Sequence, residues 1–206
     1  MKLFYGTGNQ SKLRNMRAIL AGMPIELITP ADLGIRLPAV EETGATPLEN
    51  AVLKAETYHA VSGLPSFSLD SGLYLEGVPA ELRPGPYVRR VKGRELSDEE
   101  FIAYYQQLAH QYGGRLKARF INGLCVVLND RQRKEAAGPQ VSTDWFWIVE
   151  TPHPTRLKGF PMDSIAVDPQ TGRYWVEGDL KDEQNAKGSA LAIGVRRFFS
   201  ELLQND

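Results

Sequence analysis

Two carboxylates, Glu42 and Asp70, and a dispersed set of cations, Lys12, Lys54, Arg90, Lys181 and Lys187, carry the chemistry of this sequence. Mg²⁺ takes oxygen ligands, usually one or two carboxylates with water and a substrate phosphate. A metal held that way polarises a phosphoryl oxygen and helps to make hydroxide from bound water. Lysines neutralise the charge that builds on a phosphate leaving group. The set therefore points to metal-assisted phosphoryl chemistry. Each member has an ordinary alternative: a carboxylate at a turn caps it, and a lysine on a helix faces water.

The segment that would position Lys12 is the start of the chain, Lys2-Leu3-Phe4-Tyr5-Gly6-Thr7-Gly8-Asn9-Gln10-Ser11-Lys12. A short apolar run ends in a glycine turn. Apolar residues then recur at Leu13, Met16, Leu20 and Met23, close to one helix face. Strand, turn and helix in that order place backbone N–H groups where an anion binds, and Lys12 adds a positive charge. Two known phosphate motifs fail here. The P-loop needs glycine before its lysine and Ser or Thr after it, and these positions are Ser11 and Leu13. The dinucleotide fingerprint finds Gly6, Gly8 and Glu26, but Ser11 stands for its third glycine. A helix N-terminus with no ligand is the plain alternative.

Glu42 lies in the acidic loop Glu41-Glu42-Thr43-Gly44. A helix follows, with Thr46 as cap, Pro47 at its first position and Glu49 closing a capping box. Leu48, Ala51, Val52, Ala55 and His59 form its apolar face, and Asn50 and Lys54 stand off it, toward a cleft or water. Residues 64–69 read as a strand with Asp70-Ser71-Gly72 at its C-terminal end, where open α/β sheets place ligands. A Pro/Gly-rich loop, 77–86, leads to Tyr87-Val88-Arg89-Arg90. Ser97 and Glu100 then start a helix whose stripe Phe101, Tyr104, Tyr105, Leu108 and Tyr112 belongs to a core or a subunit interface. Residues 118–129 and 142–150 read as strands around a charged link, 130–140, suggesting a hairpin with a mobile tip. Residues 160–163 read as loop and 164–167 as a short strand. A last helix near 187–203 packs Leu191, Val195, Phe198 and Leu202. The order implies a mixed α/β fold with a long, partly antiparallel sheet.

The 206 residues suffice for one large domain or two lobes sharing a sheet. A net charge of −1 gives no bulk field for a nucleic-acid polymer. The single cysteine, Cys125, sits in an apolar run, reads as a buried thiol and permits no internal disulfide, as in a reducing cytosol. The three histidines have no zinc-type spacing. Neither a leader-like segment nor a bilayer-length apolar stretch is evident, so a cytoplasmic location without a membrane partner is expected.

Taken in order, Thr7-Gly8-Asn9-x-x-Lys12, Glu41-Glu42-Thr43-Gly44-x-Thr46-x-x-Glu49-Asn50-Ala51-x-x-Lys54-Ala55 and Asp70-Ser71-Gly72-Leu73 resemble the Ham1/inosine triphosphate pyrophosphatase family. Pro84-Gly85-x-Tyr87-x-x-Arg90, Ala118-Arg119-Phe120 and Gly159-Phe160-x-x-Asp163 continue the resemblance along most of the chain, as a single domain over 1–206. The resemblance implies an elongated mixed β-sheet flanked by helices, two lobes with an active-site cleft between them, and a homodimer. It implies Mg²⁺-dependent cleavage of nucleoside triphosphates, especially deaminated purine ones, to the monophosphate and pyrophosphate. By resemblance Thr7, Gly8, Asn9, Lys12, Lys54 and Ser71 hold the triphosphate, with Arg90, Lys181 and Lys187 also on the substrate. Glu42 and Asp70 bind the metal, and Asp70, with Lys54, serves catalysis by activating water. Phe160 stacks on the base, with Asp163 beside it; stacking tolerates any base.

Two departures matter. Leu69 stands where the family has the first of two aspartates, and Asn185-Ala186-Lys187-Gly188 replaces its Ser-His-Arg-Gly. Ala186 donates no hydrogen bond and lysine lacks arginine's planar fork, so discrimination at the base edge is expected to change. A nucleotide-binding protein with little catalysis and a nicotinamide-binding oxidoreductase stay open as alternatives.

Overall fold

The computed structural model describes residues 1–91, 93–178 and 188–204; Lys181, Asn185, Ala186 and Lys187 fall outside the described residues. The fold is mixed α/β. Among the described residues its main sheet has seven strands in the order β2 (Glu26–Ile28), β1 (Lys2–Tyr5), β3 (Ser66–Leu75), β6 (Arg115–Asn129), β8 (Phe146–Val149) and β9 (Ala166–Val167), with β7 (Gln132–Gly138) also on β6. The chain divides into two compact units, and β3 (Ser66–Leu75) and β6 (Arg115–Asn129) each contribute residues to both.

The first unit holds Met1–Ser71, Ile121–Ser142 and the last helix, Ala190–Gln204. β1 (Lys2–Tyr5) pairs in parallel with β2 (Glu26–Ile28), Lys2 opposite Glu26, and with β3, Tyr5 opposite Phe67. Parallel strands are covered on both faces, so Leu3, Phe4 and Tyr5 are all buried rather than alternating. α1 (Gln10–Leu20) lays Leu13, Met16 and Leu20 into the core as its spacing predicts, while Met23 falls in the turn beyond the helix, and a short α2 (Pro30–Leu33) follows β2. The last helix buries Ala192, Val195, Phe199 and Leu202; Phe199, not Phe198, is the fully buried ring, edge-on to Phe67 at 5.5 Å between centroids. Side chains of that size contribute about 1.5–3 kcal/mol each on burial.

α3 (Pro47–Ser62) starts as predicted, with Thr46 as N-cap accepting the Glu49 N–H at 3.2 Å and Pro47 at the first position. The capping box does not close. Glu49 Oε2 instead accepts the N–H of Ala45 at 2.7 Å, one residue before the cap. Gly63, at φ +66°, ends the helix in the left-handed conformation. Beneath α3, Ala51 and Ala55 pack on Cys125 and Val127 of β6. Gly123 is what lets the two meet: a Cβ there would strike the backbone of Pro47 and Leu48.

Two expectations are corrected here. The link 130–140 is itself mostly strand: β7 (Gln132–Gly138) runs antiparallel to β6, and the tip is just Asp130-Arg131 between Asn129 and Gln132. Its charged residues are the exposed side of an edge strand that buries Ala136, which mimics a polar loop in sequence. Asp70 is not at a turn either. β3 continues through Asp70-Ser71-Gly72 to Leu75 because Leu73 and Leu75 find a core of their own. β1 reaches β3 at Phe67, so Asp70 still stands just past the carboxyl end of the parallel pairing.

The second unit takes Gly72–Phe120 and the stretch from Thr143 through Gly178. β8 (Phe146–Val149) pairs antiparallel with β6 and with β9 (Ala166–Val167), and β4 (Arg90–Val91) with β5 (Arg94–Glu95) forms a separate hairpin. α4 (Asp98–Gln111) begins with the full Ser97/Glu100 capping box and buries Phe101, Ile102, Tyr105 and Leu108. Its aromatic stripe is thus mainly core; Tyr112, just past the helix, is 37% exposed.

Candidate active site

Thr7 and Asn9 shape the turn after β1. The Thr7 hydroxyl accepts the Asn9 N–H at 3.1 Å, and Asn9 Oδ1 accepts the Lys12 N–H at 3.1 Å, capping α1. Two of the amides expected to face an anion are therefore already engaged by side chains. Gly6 is required by close approach, because a Cβ would enter the Tyr58 ring, whereas Gly8 faces open space.

The acidic loop is tied to α3 from both ends. Asn50, fully buried, accepts the Gly44 N–H at 2.8 Å through Oδ1. One helical turn later, Lys54 Nζ lies 2.7 Å from Glu42 Oε1 and 2.9 Å from Asp70 Oδ1. The Lys54 side chain is 14% exposed, so it is neither solvated nor idle. Burial pulls its pKa down, but the bonds to Asp70 and Glu42 outweigh that and set it above the ordinary lysine value. Lys12 moves the other way. Its side chain has substantial solvent contact, yet the ammonium is crowded by surrounding protein, and this desolvation, with repulsion from Lys54, outweighs the pull of Asp70 and Glu42. Burial likewise raises the phenols of Tyr5 and Tyr58.

These groups line a cavity of about 280 Å³ whose wall includes Thr7, Gly8, Asn9, Lys12, Glu42 and Lys54. Its volume is at the lower edge of the ~300–1,000 Å³ typical of small-molecule pockets and suits a compact polar group. Asp70 stands behind the wall and meets it through Lys54; Ser71 follows on β3. The wall also holds Tyr5, Leu37, Pro38, Tyr58 and Ser68, which sequence reasoning missed. Tyr58 carried a signal, lying four residues past Lys54 on the same helix; Leu37 and Pro38 carried none. Leu69 is on the wall as well.

The donor set fits a hard cation. Two carboxylate oxygens from different elements converge on one ammonium, and Asp70 Oδ2 is buried without a hydrogen-bond partner. Among the described residues no group of three or more His, Cys, Asp or Glu side chains is disposed around a common metal position. One or two carboxylates completed by water and substrate oxygens is the Mg²⁺ habit. Cys125 is fully buried with its pKa pushed up to about 12, and His59 Nδ1 lies 2.7 Å from the Leu64 carbonyl, so both are structural.

Arg90, Phe160 and Asp163 belong to the second unit. Arg90 stacks its guanidinium on Tyr87 at 5.8 Å and lines a cavity of about 420 Å³ with Arg83, Tyr87 and Tyr104. Phe160 is half-buried and leads into a short 3₁₀ turn, Pro161–Ser164, which carries Asp163. Burial raises the Asp163 carboxyl to about 6.

The sequence profile of the Ham1 family matches residues 3–190. A Thermus thermophilus protein named dITP/XTP pyrophosphatase is 33% identical over 193 residues, 93% of this chain and 88% of the relative. A Halorhodospira halophila protein of the same name is 33% identical over 206 residues, covering 98% and 99%. Among solved structures, a HAM1 protein from Coxiella burnetii superposes with a TM-score of 0.72 at 24% identity over the full length of both chains, a likeness of fold. Among the described residues no helix is long and apolar enough to cross a membrane.

Proposed function

The chain belongs to the Ham1 family, and we propose that it hydrolyses deaminated purine nucleoside triphosphates to the monophosphate and pyrophosphate, clearing them from the nucleotide pool. The observation that carries this reading is Lys54 bridging Glu42 and Asp70 at the wall of a cavity shared with Thr7, Gly8, Asn9 and Lys12. The names of the relatives support the substrate class. The match through both units supports a single domain over 1–206.

In this reading Lys12, Lys54 and the Thr7–Asn9 turn bind the triphosphate, with Ser71 beside them. Glu42 and Asp70 would hold Mg²⁺, which when bound supplies charge neutralisation and polarisation of the phosphoryl oxygen. Asp70, kept poised by Lys54, orients and deprotonates the attacking water. Phe160 stacks on the base and Asp163 lies at its edge, with Arg90, Lys181 and Lys187 also assigned to substrate. The homodimer and the cytoplasmic location belong to the same proposal. Pyrophosphate release from a panel of nucleoside triphosphates with Mg²⁺ tests it. Inosine and xanthosine triphosphates should be cleaved ahead of the common four, by a margin narrowed by Ala186 and Lys187. Asp70→Asn should abolish turnover while the protein stays folded, since the Lys54–Glu42 pair survives; wild-type turnover in that variant would sink the assignment. Leu69 on the cavity wall, in place of a second acid, favours the runner-up, a nucleotide-binding protein with little catalysis. That reading requires nucleotide binding without pyrophosphate release.

A further inference from the structure

The motif that relates this chain to its family singles out Arg90, but it is the neighbour, Arg89, that bonds to Asp98 and Gly159. Arg89 Nη1 donates to Asp98 Oδ1 at 2.8 Å, and Nη2 donates to the Gly159 carbonyl at 3.2 Å. Asp98 Oδ2 accepts the Gly159 N–H at 2.6 Å. Gly159 is thus gripped at both its N–H and its C=O by one ion pair, closing a ring in which it lies 61 positions from Asp98 and 70 from Arg89. The clamp is anchored. Asp98 opens α4 directly after the Ser97 cap, the Arg89 carbonyl accepts the Leu96 N–H at 2.8 Å, and the Arg89 guanidinium lies 5.7 Å from the Phe101 ring. The held residue is conformationally particular: Gly159 has φ +83°, and Phe160 follows at φ −129°, ψ 56° before the 3₁₀ turn. A residue in the left-handed region just before an aromatic side chain decides where that ring points.

We propose that Arg89 and Asp98 are positioning residues for base recognition: by locking the Gly159 peptide they aim Phe160 and seat the turn that carries Asp163. The inference rests on the reading of Phe160 as the stacking residue. An ion pair about one-third exposed on each side adds little to folding, but a planar guanidinium fork with one N–H on the Asp98 carboxylate and another on the Gly159 carbonyl fixes geometry. Lysine cannot replace Arg89, because a single ammonium does not span Asp98 and the Gly159 carbonyl in that fork.

Calorimetric titration with the two reaction products separates the possibilities, because inosine monophosphate carries a base and pyrophosphate does not. Arg89→Ala, Arg89→Lys and Asp98→Asn should each weaken inosine monophosphate by about tenfold, a fraction of what a lost base stack costs. Pyrophosphate affinity should stay within about twofold and the melting temperature within a few degrees, as for a partly exposed pair. The double variant Arg89→Ala/Asp98→Asn should be no worse than either single one, since either change releases Gly159. With triphosphate substrate, KM should rise while kcat holds. Unchanged monophosphate affinity in Arg89→Ala, or equal losses for both products, would overturn the positioning role. A wild-type protein that binds pyrophosphate but not the monophosphate would overturn the stacking reading itself, and the proposal with it.

Discussion

Replacing Lys54 by methionine keeps the unbranched, flexible stem of the side chain and removes the charged ammonium. Asp70 would then lose the cation that meets it among the described residues, with its Oδ2 already buried and unpartnered. Removing one member of a buried ion pair costs about 3–5 kcal/mol, because the other charge stays behind. Here the Lys54 and Asp70 side chains are 14% and 8% exposed, but Glu42 at 39% is free to turn to water. The lower end, about 3 kcal/mol, follows. For a chain of this length that is a fall in melting temperature of about 6–12 °C. The sign with pH is fixed too. The folded pKa of Lys54 lies above its ordinary value, so its contribution is complete below that value and fades only as pH rises through the higher one. Wild type and variant should therefore stay separated across neutral pH and converge in alkali. Thermal and urea unfolding followed by circular dichroism would measure the gap. The double variant Lys54→Met/Asp70→Asn should recover most of it, since no buried charge then remains unpaired. A single variant within about 1 kcal/mol of wild type, or a double variant as unstable as the single, would refute the argument that Asp70 depends on this lysine.

Gly123→Ala should be among the most damaging small substitutions in the chain, costing about 3 kcal/mol or more, because the new methyl meets α3 backbone rather than a side chain that can rotate away; urea unfolding would measure it, and a cost under about 1 kcal/mol would mean that α3 shifts freely. Asp163→Asn tests the raised carboxyl. The folded protein holds that proton up to about pH 6 whereas an ordinary aspartate loses it near 3.8, so wild-type stability falls as pH rises across that interval. The variant should match wild type below pH ~4 and exceed it by about 1–2 kcal/mol above pH ~6, a range that allows for partial exposure; equal stability at both ends would contradict it.

Local signals in the sequence were legible where the physics is local. The Thr46-Pro47 start of α3, the Ser97/Glu100 box and the strand-turn-helix around Lys12 all depend on residues within a turn of one another. Misreadings arose where tertiary contacts decide. β7 looks like a charged loop because an edge strand wears its charges outward, and β3 runs past Asp70 because Leu73 and Leu75 have a core to reach. The cavity is visible in sequence as a list of chemistries, though not as a wall: Asn50 reads as facing a cleft or water and proves fully buried, holding the Gly44 amide. The grip of Arg89 and Asp98 on Gly159 has no short-range signature, since contacts across 61 and 70 positions are a property of the folded chain alone.

The single thiol has a use that its inertness creates. Cys125 lies on β6 against the underside of α3, the helix that carries Asn50 and Lys54, fully buried and with its thiol pKa raised by that burial. A thiol reagent can reach it only when that helix lifts, so the labelling rate counts how often the seam opens. Any ligand that engages Lys54 in the closed form must slow that clock in proportion to its occupancy. The protein therefore reports on its own cavity through a spectator thiol beneath the helix, with no turnover required.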